Sequence, residues 1–246
     1  MNMKKKLVAG GLVAALAATA IGGATLAYFT DTDNRTNTFA VAGQGGKDAL
    51  GITMTETSVD RTVQEDGEDV KLYPATSGDG SIDQGFTYEN MVPGLAYDKN
   101  VDIDLDEDSL DSHLYVELTI TNFKELSALM TSGGIDTTAM QDAFLVNPSA
   151  YITQNNVLAT KLAEDGDTYS MVFDFGVMSE TTDVTHIDVF DGVKVPANLT
   201  ADDMGLLTKG VNLTIKAYAI QNAGLEDDAA ADAAAIAEWF SDYTVA

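Results

Sequence analysis

The chain has 246 residues, 45% of them hydrophobic, no cysteine, and a formal net charge of −26. That apolar share is ample for a buried core, and the missing cysteine removes both a disulfide framework and a thiolate zinc site. So acidic a chain works against binding to nucleic acid or an anionic membrane surface, leaving solubility, calcium or basic partners as the readings of its charge.

Residues 1–27 begin with "MNMKKK" and continue through an apolar stretch from Leu7 to Leu26. A basic start, an apolar run and a small-residue end form the pattern of a cleavable signal peptide. The run is long enough to cross a bilayer, but it is built mainly of Ala and Gly, which insert less favourably than Leu and Ile. Cleavage is therefore expected between Ala27 and Tyr28, with membrane contact before that cut alone. Removing Lys4, Lys5 and Lys6 with the leader brings the exported part to −29.

The "KKK" start, the Gly/Ala-rich core and the stretch "GGATLAYFTDTDNRTNTFAVAG" together resemble the signal and mature start of the TasA/camelysin family. Those are exported bacterial proteins of biofilm matrices and spore coats, processed by a SipW-type signal peptidase. Phe29, Asp31, Asn37, Phe39 and Gly43 match the family pattern as they stand. The resemblance implies a SipW-type peptidase as first partner, an extracellular or cell-surface location, and a jelly-roll-like sandwich.

Further along, alternation at period two dominates and predicts half-buried strands. "ALGITMTETSV" from Ala49 is the first candidate. "VPGLAYDKN" holds a Pro93-Gly94 turn, followed by "NVDIDLD", where Val101, Ile103 and Leu105 alternate with Asp102, Asp104 and Asp106 on a face expected to be wet. "SHLYVELTIT" sends Leu114, Val116, Leu118 and Ile120 one way and His113, Tyr115, Glu117 and Thr119 the other. "YSMVFDFGV" and "VNLTIKAYAIQ" repeat the pattern.

Two helical stretches interrupt the strands. One runs from about Lys124, breaks at Gly133-Gly134, and resumes from an N-cap at Asp136 to about Leu145. The other is alanine-rich, starts near Glu226, and carries acid in its first turn, where the helix dipole favours it. The reading is a mainly β chain, an antiparallel jelly-roll-like β-sandwich with helical insertions in the middle and a C-terminal helix. A signal peptide (1–27) precedes a single domain (28–246), comprising an extended segment at 28–46, a helical insertion at 123–148 and a terminal helix at 226–240.

Catalytic signatures are scarce. A zinc peptidase of the H-E-x-x-H kind needs two histidines four residues apart on a helix with a glutamate between them. His113 and His186 are the two histidines present, and neither sits in such a motif. They could still meet in space with a carboxylate; the plainer reading makes them ordinary polar-face residues. There is no nucleophile elbow and no phosphate loop. Asp102, Asp104 and Asp106 fall at EF-hand positions 1, 3 and 5, but Glu107 replaces the turn glycine and His113 the bidentate glutamate. A looser surface calcium site at Asp106, Glu107, Asp108 and Asp111 stays open, and no other cofactor is expected. Trp239, beside Phe240 on the terminal helix, reads as core or interface.

The expectation is thus a secreted structural protein, not an enzyme. It would be a subunit or accessory of a matrix fibre or surface layer, self-associating or joining related matrix proteins by strand addition. Phe29, Asn37, Phe39, Val41 and Gly43 lie in the donor segment, which could equally pair within its own subunit as a first strand. A camelysin-like metalloendopeptidase and an adhesion module remain the alternatives.

Overall fold

The structure is a computed structural model and describes residues 29–30, 51–79, 85–106, 109–222 and 227–246. Its strands are β1 (Phe29–Thr30), β2 (Ile52–Thr57), β3 (Arg61–Glu65), β4 (Glu68–Tyr73), β5 (Thr87–Tyr88), β6 (Ala96–Leu105), β7 (Ser112–Thr121), β8 (Leu145–Val146), β9 (Val157–Leu162), β10 (Thr168–Met178), β11 (His186–Lys194), β12 (Val211–Gln221) and β13 (Thr244–Val245). The α-helices are α1 (Phe123–Ser132), α2 (Met140–Phe144), α3 (Ala201–Met204) and α4 (Asp228–Glu238). Among the described residues, no helix is long and apolar enough to cross a membrane.

Two sheets form, as the alternation predicts. The first runs β13-β9-β10-β7-β12-β1-β5; the second runs β3-β4-β6-β11-β8, with β2 also on β6. Leu114, Val116, Leu118, Phe173, Phe175, Leu213 and Ile215 from the first sheet meet Val101, Ile103, Ile187, Val189 and Phe190 from the second in one core. The molecule is therefore a mainly β sandwich. Most pairings are antiparallel, but β1–β12 and β4–β6 are parallel, which strand alternation cannot reveal.

Three local expectations change. The second half of the central insertion is a 3-10 turn (Thr137–Ala139), capped by Asp136 on the Thr138 N–H, followed by the short α2. It stops at Phe144 because Leu145 and Val146 are drawn into the ladder opposite Val193 and Gly192. The outer face of β7 is not wet: His113, Tyr115 and Glu117 are buried. Helix α4 covers it, with Ala235 and Phe240 packed against Tyr115, Ala159 and Val172. Small alanines let the helix approach closely, while Tyr218 and Trp239 close the rim with ring centroids 5.3 Å apart. On β6, Asp102 is half-buried, because β11 places Asp188 directly across from it.

A hairpin joins β3 to β4 through Asp66-Gly67, both at positive φ (52° and 83°). Asp-Gly is the favoured pair for a tight two-residue hairpin turn, since both central residues must adopt left-handed backbone.

Candidate functional site

Three places in this frame combine chemistry with position. The first is the free side of β12. Strand β7 pairs with one edge of β12 along Leu213–Gln221. On the opposite edge, β1 pairs in parallel at Val211 and Asn212 alone, and its own far side pairs antiparallel with Tyr88 and Thr87. Beyond Asn212, no described strand occupies that edge. On the core side of β12 lies an apolar gap of about 40 Å³, lined by Val211 and Leu213 together with Leu118, Ile120, Leu145 and Val193.

The second place is a cleft of about 700 Å³ on the outer face of the second sheet, lined by Arg61, Asn100, Asp102, Tyr151, His186, Asp188 and others. Cross-strand register puts His186 opposite Asp104 and Asp188 opposite Asp102. His186 Nδ1 lies 2.7 Å from Asp104 Oδ1, and its Nε2 lies 3.1 Å from Asp188 Oδ1. These contacts, that with Asp104 foremost, raise the imidazole above its ordinary value. Asp102 is pushed up to about 6, first by burial and then by Asp188; Asp188 is lowered by accepting from Asp102. At the cleft edge, Arg61 Nη2 donates to Asn100 Oδ1 and Asp191 Oδ1, each at 2.8 Å, while its Nε pairs with the buried Asp98. The guanidinium thus offsets part of the negative charge that Asp98 and Asp191 bring to one end of an acidic cleft.

The third place lies under α4. A β-bulge in β10 between Asp174 and Gly176 turns the Asp174 side chain toward β7. Gly176 sits at φ 73°, and its N–H donates to Asp174 Oδ1 at 2.7 Å. The same oxygen lies 2.6 Å from His113 Nε2. Burial alone would raise Asp174, but the His113 and Gly176 contacts hold it below the usual carboxylate range. Tyr115, stacked on His113 with centroids 4.9 Å apart, donates its hydroxyl to Asp232 Oδ1 at 3.1 Å. Asp228 is one turn away on the same helix face.

The two histidines do not meet. His113 faces outward from the first sheet and His186 outward from the second, so the core lies between them. Each instead belongs to its own set with carboxylates: His113 with Asp174 and Asp232, His186 with Asp102 and Asp188. Burial of His113 also corrects its reading as a polar-face residue; the exposed His186 fits that reading.

Of the sequence-predicted positions, Phe29 lies in β1. Ala27, Tyr28, Asn37, Phe39, Val41 and Gly43 fall outside the described residues, as do Glu107 and Asp108. Asp106 accepts from Thr53 Oγ1 at 2.6 Å, and Asp111 is half-buried. Sequence reading missed Asp174 and Asp232 as partners of His113. The "DFG" in "VFDFGV" was the available signal, since a glycine inside a strand often marks a bulge that redirects a neighbour.

Residues 2–59 match the family described as Camelysin metallo-endopeptidase, which supports the TasA/camelysin membership read from the leader. Comparisons with curated proteins and with solved structures gave no match. The family description implies a metal, and the orphaned buried nitrogen of His113 tests the fit: His113 Nδ1 has no hydrogen-bond partner and lies beside carboxylates. A set of one imidazole and carboxylates can ligate a divalent ion there.

Proposed function

From that camelysin-family match at the amino terminus, we infer that the chain is a secreted structural protein, a subunit or accessory of an extracellular matrix fibre or surface layer, assembling by strand addition. The observation that carries this reading is the parallel pairing of Phe29 with Val211, which leaves the remaining edge of β12 without a described partner strand. An edge of unpaired N–H and C=O groups is a template for another strand. A segment continuing the β1 register from the extended segment (28–46) of a second copy would reach along Leu213–Gln221 by about Phe39. The backbone ladder would supply affinity, and the apolar gap beside Val211 and Leu213 would take a side chain. Such a contact joins unlike surfaces and does not close on itself, so it propagates into a filament.

The reading assigns export by a SipW-type peptidase, with cleavage between Ala27 and Tyr28, as the step that frees the donor. Mass spectrometry and negative-stain electron microscopy of the secreted material test it together: a new amino terminus at Tyr28 in filamentous material supports it, and compact single particles retaining residues 1–27 refute it.

A camelysin-like metalloendopeptidase is the competing reading, favoured by the family description. Against it stand the separation of the two histidines and the burial of the His113 ring beneath α4 among the described residues. Zinc-dependent proteolysis by the purified exported chain, lost on His113→Ala or His186→Ala, would reverse the preference.

A further inference from the structure

The two nitrogens of the His113 ring face different chemistry. The ring is fully buried, at 0% exposure. Nε2 points at Asp174 Oδ1, an oxygen already accepting the Gly176 N–H, so Nε2 is the nitrogen that carries hydrogen. In the neutral imidazole this leaves Nδ1 as a bare lone pair, and Nδ1 has no hydrogen-bond partner. Its nearest charged neighbour is Asp228 Oδ1 at 3.9 Å, beyond hydrogen-bond reach. Ligand atoms of His113, Asp174 and Asp232 lie within 4.8 Å of one another. The bare Nδ1 therefore faces the Asp228 carboxylate, with Asp232 one turn along the same helix. Among the described residues, no lysine or arginine forms an ion pair with Asp174, Asp228 or Asp232.

We propose that His113 Nδ1, with the α4 carboxylates Asp228 and Asp232, binds a divalent ion of the zinc class, and that Asp174 orients the imidazole for it. Two atoms ligating one ion at about 2.0–2.2 Å lie roughly 3.3–4.2 Å apart, so a separation too long for a hydrogen bond is ordinary for co-ligands. A ligating histidine commonly donates its other ring N–H to a carboxylate, the role Asp174 fills. Imidazole selects zinc over calcium, which prefers all-oxygen ligands. Held there, the ion fastens α4 to β7 and β10. The site goes beyond the fibre reading and stands or falls apart from it, because it is read in the unassembled protein.

The test uses the exported chain, residues 28–246, stripped with EDTA and titrated with zinc chloride by calorimetry, with metal content and thermal unfolding measured alongside. One equivalent of zinc is expected, with a higher unfolding temperature. Asp228→Asn and Asp232→Asn should each weaken zinc binding by about 10-fold or more, and Asp174→Asn by roughly 10–100-fold. Asp228 is 81% exposed, so its substitution leaves the fold intact and decides the matter even if His113→Gln fails to fold. His186→Asn should leave zinc binding unchanged. The proposal is overturned by any of four results: no stoichiometric zinc, affinity unaffected by both α4 substitutions, affinity that follows His186, or calcium binding as tightly as zinc.

Discussion

Phe29 lies in parallel register with Val211, although one belongs to the leader-proximal end of the chain and the other to its last long strand. With Tyr88 on its far side, β1 is sandwiched between two strands of the same subunit. A strand that pairs inside its own subunit can pair identically in a neighbour, so self-pairing and the proposed donation would compete for one edge.

Thr30→Pro tests that competition. Proline removes a ladder N–H and is poorly tolerated between two strands. The substitution should reduce filament yield on electron microscopy and lower the unfolding temperature of the monomer; unchanged filaments would remove β1 from the assembly contact.

Glu117 ties the carboxy-terminal tail to the sheet. Its carboxylate accepts from Tyr243 at 2.6 Å, Tyr218 at 2.7 Å and Thr119 at 3.1 Å. Burial alone would raise its pKa, but these hydroxyls and Lys216 hold it below the ordinary value of 4.5. Its folded pKa being depressed, its contribution is present above about pH 4.5 and fades as the pH falls through the folded value. Glu117→Gln should cost about 1–3 kcal/mol at pH 7, with the gap to the parent narrowing below pH 4.5 in urea titrations.

Lys99 and Glu56 form an ion pair whose side chains are 2% and 3% exposed. Lys99→Met leaves a buried carboxylate uncompensated and should destabilise by about 3–5 kcal/mol by urea denaturation. Replacing both partners with apolar residues should recover most of that loss.

Gly192 faces the carbonyl of Tyr97, and a Cβ there would sit 2.4 Å from that oxygen. Gly192→Ala therefore has to push β11 from β6, at a cost of about 1–3 kcal/mol in thermal unfolding.

The long strands were legible because one face of each is core: Val101 and Ile103, or Leu114 and Val116, declare themselves by alternation. The outer face of β7 was not legible. Its cover, α4, buries Ala231 and Ala235, residues too small to mark a packing face in sequence. His113 consequently reads as a polar-face residue until the helix is placed over it. The opposite placements of His113 and His186 depend on which sheet each strand joins, which alternation does not encode. Asp66-Gly67 was a readable hairpin signal that the longer strands overshadowed.

Charge bears on assembly as well. Removing residues 1–27, as the proposed export implies, would leave −29, so copies would repel one another, and screening acts beyond about 8 Å at physiological ionic strength. Salt, calcium or a pH nearer the pI of about 4.1 should speed assembly in light scattering. Equal rates across these conditions would mean that repulsion does not govern it.

Strand addition is tested most directly by comparing residues 28–246 with a chain lacking residues 28–46, imaged by negative-stain electron microscopy with and without a synthetic peptide of residues 28–46. The full exported chain should form filaments, the shortened chain none, and excess peptide should cap the full chain into short pieces. Filaments of equal length from both chains, indifferent to the peptide, would contradict assembly through the strand of residues 28–46.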